Sequence, residues 1–152
     1  MLNMYFEIKT IIIFFCILIA IIDLKSFRIP DILLVAFTAF VIILEGSQAF
    51  TLFVFRFAVA SGAFLLFGGV WYFTRGIGFG DVKYAALLGY VLGPGKIVST
   101  FLITALLGII VYAIGILLFS WPKTKKIPYA PFLSAGAIFS LIFNIDLIGG
   151  IP

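Results

Sequence analysis

Residues 76–84 read GIGFGDVKY, a run of alternating glycines that ends in an aspartate and leads directly into an apolar stretch. Asp81 therefore stands where an apolar segment begins, in a chain that is 64% hydrophobic and only 11% charged. A soluble domain of about 150 residues leaves roughly a third of its chain surface in water. A mean hydropathy of +1.34 does not suit that exposure. The composition predicts that a lipid bilayer surrounds most of the chain.

Histidine is absent and cysteine occurs once, which limits the catalytic and metal-binding chemistry available to the chain. The chain has no histidine, which is the usual general base and the commonest zinc ligand. Cys16 is its single cysteine, so neither an internal disulfide nor a cysteine-rich zinc site can form. The sequence predicts no metal site and no cofactor.

Apolar runs separated by charges, glycines and prolines predict an all-α membrane protein. We expect one integral-membrane domain over residues 1–152, built as a bundle of about six transmembrane helices. The predicted spans are residues 8–22, 32–44, 57–74, 82–92, 97–119 and 131–148. Several are shorter than the roughly 20 residues that a crossing needs, so flanking residues must be recruited. Fewer helices, one of them re-entrant, is the alternative. The first span lacks the flanks of a cleavable signal and is expected to be retained.

The basic residues predict the orientation of these spans, because cytoplasmic loops are enriched in Lys and Arg. One set of loops holds seven basic residues: Lys25, Arg28, Arg75, Lys83, Lys123, Lys125 and Lys126. The other set holds three: Lys9, Arg56 and Lys96. This places both termini outside and the GFGD stretch at the cytoplasmic start of the fourth helix. The basic loops would contact anionic lipid headgroups, and nothing in the pattern indicates nucleic-acid binding.

Three carboxylates fall at the predicted cytoplasmic edge: Asp23 ends the first span, Asp31 opens the second and Asp81 opens the fourth. An aspartate costs about 2.5–3.5 kcal/mol at the bilayer centre and less near its edge, so such residues are usually functional. Asp81 could simply cap its helix. Asp23 opposes the dipole of its own helix, and only Lys25 and Arg28 are near in sequence to compensate.

The glycines and the aspartates together indicate peptide hydrolysis. Gly78 and Gly80 lack side chains and would let an extended peptide lie close to Asp81. Two carboxylates held together cannot both ionise easily, so the pair shares a proton. The ionised member can then activate a water while the protonated member polarises the scissile carbonyl. This chemistry needs neither histidine nor metal.

These residues resemble the intramembrane aspartic proteases, whose G-x-G-D motif matches GFGD at residues 78–81. Three further stretches resemble the type IV prepilin peptidase family in order and spacing. They are DLKSFRIPD (23–31), GDVKYAALLG (80–89) and KIPYAPFLSAGAI (126–138). Asp31 and the Tyr129–Ala130 pair stand where that family usually has Asn and Phe-Gly. With one cysteine, the chain resembles the short peptidase-only bacterial type, without the segment that binds zinc and methylates.

The resemblance implies a multi-pass endopeptidase of the cell (inner) membrane. It would cleave the short basic leader of type IV prepilins and pseudopilins at the cytoplasmic face. By position, Asp23 and Asp81 match the catalytic aspartates. The resemblance also implies a substrate-binding set: Gly78, Gly80, Lys83, Lys25 and Arg28. The sequence indicates no particular oligomeric state.

Three questions stay open at this stage. Asp31 either caps the second helix or competes with Asp23 as the partner of Asp81. A small transporter or channel that uses the aspartates as an ion or proton site is the main alternative function. A presenilin-like protease lacks its Tyr-Asp and Pro-Ala-Leu elements here, and a Ser26–lysine peptidase lacks a suitably buried lysine.

Overall fold

The computed structural model describes residues 2–45, 50–74, 76–122 and 127–148, and within them the side chains of 7–43, 51–74, 76–122 and 127–148. These residues form five helices and no strand, which confirms the all-helical expectation. The helices are α1 (Leu2–Ser26), α2 (Asp31–Glu45), α3 (Phe50–Thr74), α4 (Phe79–Phe119) and α5 (Ala130–Ile142). The loop cations Arg75, Lys123, Lys125 and Lys126, used above to predict orientation, lie outside the described residues.

Among the described residues, two helices are long and apolar enough to cross a bilayer. α3 qualifies over Thr51–Thr74, with a mean hydropathy of 1.8, and α4 over Phe79–Phe119, with 2.7. Large apolar side chains also cover the outside of the bundle, as at Phe73 (83% exposed) and Leu117 (79% exposed). Water would not tolerate such a surface, whereas lipid would. The fold therefore suits association with a membrane.

α4 folds back on itself at Gly93. The Tyr84 hydroxyl lies 2.8 Å from Ser134 Oγ, and Thr104 Oγ1 donates to the Phe132 carbonyl at 3.2 Å. In a straight helix residues 84 and 104 would be about 30 Å apart, yet their partners on α5 are two residues apart, or about 3 Å. Gly93 has φ 73° and ψ 178°, a conformation essentially limited to glycine. We call the two halves α4a (residues 79–92) and α4b (residues 95–119).

The two halves of α4 correspond closely to the predicted spans 82–92 and 97–119, because the non-helical Gly93 separates them. Six membrane crossings stay a prediction. The last helix ends earlier than predicted, at Ile142 rather than residue 148. There Asn144 adopts φ 50°, and the Ile145 N–H bonds back to the Ser140 carbonyl at 3.0 Å. That left-handed cap closes the helix.

α5 lies at the centre of the packing. It packs against both α1 and α4, while α3 packs against α4 and α2 touches α1 and α4. Within the described residues no Cα atom of α1 lies within 8 Å of one in α4, so these two helices contact each other only through side chains. The ends of the helices therefore meet around the start of α5, where α1 ends and α4a begins.

The contact between α4b and α5 depends on a glycine. A Cβ at Gly136 would lie 2.5 Å from Thr104 Oγ1 and 2.6 Å from the Thr100 carbonyl oxygen. Gly136→Ala should therefore lower the free energy of unfolding in detergent by about 1–3 kcal/mol. Gly108→Ala is the matched control, because a Cβ at 108 would meet no described atom within 4 Å. Equal unfolding of the two variants would contradict this packing.

Candidate active site

Asp23 lies in the last turn of α1 and is only 4% exposed. Its Oδ2 accepts a hydrogen bond from the backbone N–H of Ala130 at 3.2 Å. Ala130 is the first residue of α5, where free N–H groups and the helix dipole favour a negative charge. The acid that opposes the dipole of its own helix is thus stabilised by the N-terminus of another. No local sequence signal predicts this pairing, because 107 residues separate the two partners.

Asp81 lies in the first turn of α4a and is 7% exposed. Its Oδ2 accepts a hydrogen bond from the Gly78 N–H at 3.0 Å, so the carboxylate does cap its helix. Its Oδ1 is buried and has no hydrogen-bond partner among the described residues. A buried oxygen without a partner costs about 1–3 kcal/mol. Capping alone needs only one oxygen, so the second is available for chemistry.

The charges of the two aspartates interact. The negative charge of Asp23 acts on Asp81, and burial removes water from both carboxylates. Backbone N–H groups from two helix starts hold one oxygen of each. Two carboxylates in this setting favour a state with one proton between them. That Asp23 and Asp81 share such a proton, with one as acid and the other as base, stays a prediction.

Tyr129 carries a hydroxyl near Asp81. In the sequence, Tyr129 stands out only as a replacement for Phe. Its ring lies 6.0 Å from that of Phe67, and the next residue, Ala130, binds Asp23. Burial raises the pKa of the Tyr129 phenol, and the nearby charge of Asp81 raises it further. The phenol therefore keeps its proton at neutral pH and can act as a hydrogen-bond donor.

The two motif glycines serve the local backbone. Gly78 precedes α4a in an extended conformation and donates its N–H to Asp81. A Cβ at Gly80 would lie 3.3 Å from the Cβ of Ile29, in the connection between α1 and α2. The close approach at Gly80 is thus made by the chain itself, and substrate contact at either glycine stays a prediction.

Lys83 and Asp31 form an ion pair away from the two buried aspartates. The Lys83 Nζ lies 2.8 and 2.9 Å from the two oxygens of Asp31, and 5.4 Å from the centre of the Phe79 ring. Because Lys83 follows Asp81 by two residues, it points about 200° around the helix from it. Asp31 is well exposed, and the acid that acts on Asp81 is Asp23. The geometry thus favours Asp23 over Asp31 as the partner of Asp81.

The other predicted substrate-side cations lie near Asp23 in the chain. Lys25 is exposed in the last turn of α1, and Arg28 is exposed in the loop that follows. Their contact with substrate, like that of Lys83, stays a prediction. Within the described ranges, no group of three or more Cys, Asp or Glu side chains could hold a metal ion.

A sequence model described as the type IV leader peptidase family matches residues 10–114. The chain belongs to the type IV leader peptidase family. The matched region contains both Asp23 and Asp81 and ends before Tyr129 and Ala130, so the site's contact with α5 lies beyond it.

A curated relative agrees with this membership. The chain is 26% identical over 133 residues to the prepilin leader peptidase/N-methyltransferase of Bacillus subtilis (strain 168). That alignment covers 87% of this chain and 54% of the relative, so the chain spans about half the length of that protein. No solved structure matches the chain.

The site geometry predicts that the repulsion between Asp23 and Asp81 lowers the free energy of unfolding. Asp81→Asn keeps an oxygen for the Gly78 N–H but removes the repulsion with Asp23. We expect the free energy of unfolding at neutral pH to rise by about 1 kcal/mol or more. Thermal unfolding in detergent measures it.

Asp31→Asn is the control for that experiment. It breaks a largely exposed ion pair, whose loss should change stability by less than about 1 kcal/mol. Lower stability of Asp81→Asn than of Asp31→Asn would contradict the strained carboxylate pair.

Proposed function

We propose that the protein is a membrane aspartic endopeptidase that removes the leader of type IV prepilins or pseudopilins. The observation that carries this proposal is that Asp23 and Asp81 are both buried, and are near enough for the charge of Asp23 to act on Asp81. These two buried carboxylates come from different helices, and each is held by a backbone N–H at a helix start. Membership in the leader peptidase family supports the substrate class.

The reaction follows from the shared proton. The ionised carboxylate takes a proton from a water molecule, whose oxygen attacks the scissile carbonyl carbon. The protonated carboxyl donates its proton to the carbonyl oxygen as the tetrahedral intermediate forms. The C–N bond then breaks, and the amine nitrogen takes the proton that came from water. As the carbonyl re-forms, one hydroxyl of the intermediate returns its proton to the other carboxylate, which restores the starting pair. The two titrations belong to the pair rather than to either aspartate.

Two neighbouring groups support this step. Asp81 Oδ1, which accepts no hydrogen bond from the part of the chain that the structure describes, can hold the attacking water. The protonated phenol of Tyr129 lies on the side of the site formed by α5 and can donate to the developing oxyanion. Neither the water nor the oxyanion needs a metal ion.

The proposal places the site at the cytoplasmic edge of a multi-pass inner-membrane bundle. Both aspartates lie within a turn of a helix end, together with the basic residues Lys25, Arg28 and Lys83. Basic residues favour the cytoplasmic side of a bacterial membrane. A leader that remains in the cytoplasm, followed by an apolar helix in the bilayer, would present its scissile bond at this depth.

Co-expression with a prepilin tests the proposal, with cleavage followed as a shift on a gel. Asp23→Asn and Asp81→Asn should each lower cleavage at least 100-fold, because each leaves the reaction without one member of the pair. Asp31→Asn should stay within about threefold of wild type, since Asp31 binds Lys83 on the other side of α4a.

Two results would count against this account. Loss of cleavage in Asp31→Asn with activity retained in Asp23→Asn would show that the pair is wrongly assigned. A folded wild-type protein that cleaves no leader would contradict the peptidase itself and favour an ion or proton pathway through the aspartates.

A further inference from the structure

A buried hydrogen-bond network lies one helical turn beneath the aspartates. The Tyr84 side chain is fully buried, and its hydroxyl lies 2.8 Å from Ser134 Oγ, itself 1% exposed. The thiol of Cys16, also fully buried, lies close to that hydroxyl. The three residues come from three helices, α4, α5 and α1.

Each member of the network shares a helix face with a group of the site. Tyr84 follows Asp81 by three residues, and Ser134 follows Ala130 by four, which is about one turn in each case. Cys16 precedes Asp23 by seven residues, or about two turns. The network therefore joins, deeper in the bundle, the same three helices that carry Asp23, Asp81 and Ala130.

Tyr84 links the helices that carry the two aspartates. Within the described residues no Cα atom of α1 lies within 8 Å of one in α4, so side chains make the contact between these helices. α5 touches both helices, and its first residue binds Asp23. The long Tyr84 side chain extends from α4 towards Cys16 on α1, and Ser134 on α5 holds its hydroxyl.

From this geometry we propose that Tyr84, anchored by Ser134, is a positioning residue that sets the separation of Asp23 and Asp81. The proposal rests on the peptidase function proposed above. Tyr84 does not touch the substrate. It holds α1 and α4a at the spacing at which one proton and one water fit between the carboxylates. A displacement of about 1 Å at reacting groups can cost 100-fold in rate.

Packing alone does not explain a hydroxyl at this position. A phenylalanine would fill nearly the same volume and would need no partner in a buried site. Ser134 could then turn its hydroxyl to the carbonyl four residues earlier in its own helix. The Tyr84–Ser134 bond therefore fixes the orientation of α4a relative to α5. Without it, the Ser134 hydroxyl still has a hydrogen-bond partner in its own helix, so the fold should remain stable.

The test compares Tyr84→Phe, Ser134→Ala and the double variant by steady-state cleavage of a prepilin peptide in detergent. Each single variant should lower kcat about tenfold with KM within twofold of wild type. The double variant should be no worse than either single one, because both remove the same bond. Ser134→Thr, which keeps a hydroxyl, should restore kcat to within about threefold.

Tyr90→Phe is the matched control. Tyr90 lies on the same half-helix, half-buried, with its ring 6.2 Å from that of Phe53 on α3. It should cleave as wild type does. Melting temperatures of all variants, taken in the same detergent, distinguish a folded variant with displaced carboxylates from a variant that has unfolded.

Three outcomes would overturn the proposal. They are wild-type kcat in Tyr84→Phe, losses that multiply in the double variant, and a loss expressed in KM rather than kcat. If Tyr84→Phe fails to fold, Ser134→Ala alone decides, and wild-type kcat there overturns the proposal. An inactive wild-type protein would instead contradict the proposed peptidase, which the control and wild-type rates reveal directly.

Discussion

The hydrogen bond from the Ala130 N–H to Asp23 is the contact on which the site depends. It joins the end of α1 to the start of α5, and α5 in turn packs against α4, which carries Asp81. Without it, Asp23 would be a buried acid at the wrong end of its own helix dipole. The N-terminus of α5 supplies the missing donor, so one helix start both stabilises the first carboxylate and places it near the second.

The protein tolerates two buried acids because one oxygen of each accepts a backbone N–H. Asp81 Oδ1 has no hydrogen-bond partner among the described residues, so part of the cost of burial falls on that atom. The surrounding core confines the cost to this place: Phe15 and Phe37 stack at 4.7 Å between α1 and α2, and the Tyr84–Ser134 bond ties α4a to α5.

Local sequence signals predicted the helical class and the apolar surface, because hydropathy is a local property. They also placed a break between residues 92 and 97, where α4 turns at Gly93. They did not predict the end of α5 at Ile142, which depends on the backbone conformation of Asn144. The partners of Asp23 and Tyr84 were not predicted either, since Ala130 and Ser134 meet them only through helix packing. The same holds for the exposed ion pair of Lys83 and Asp31, which joins residues 52 positions apart. The catalytic roles of Asp23 and Asp81 stay a prediction.

The central claim is that Asp23 and Asp81 form one buried pair that holds a single proton. Infrared spectroscopy of the protein in lipid bilayers at neutral pH tests it through the carbonyl stretch of a protonated carboxyl group. The account predicts this band in the wild type and in Asp31→Asn, and its absence in the double variant Asp23→Asn/Asp81→Asn. A wild-type spectrum with only ionised carboxylates, or a band that survives in the double variant, would contradict it.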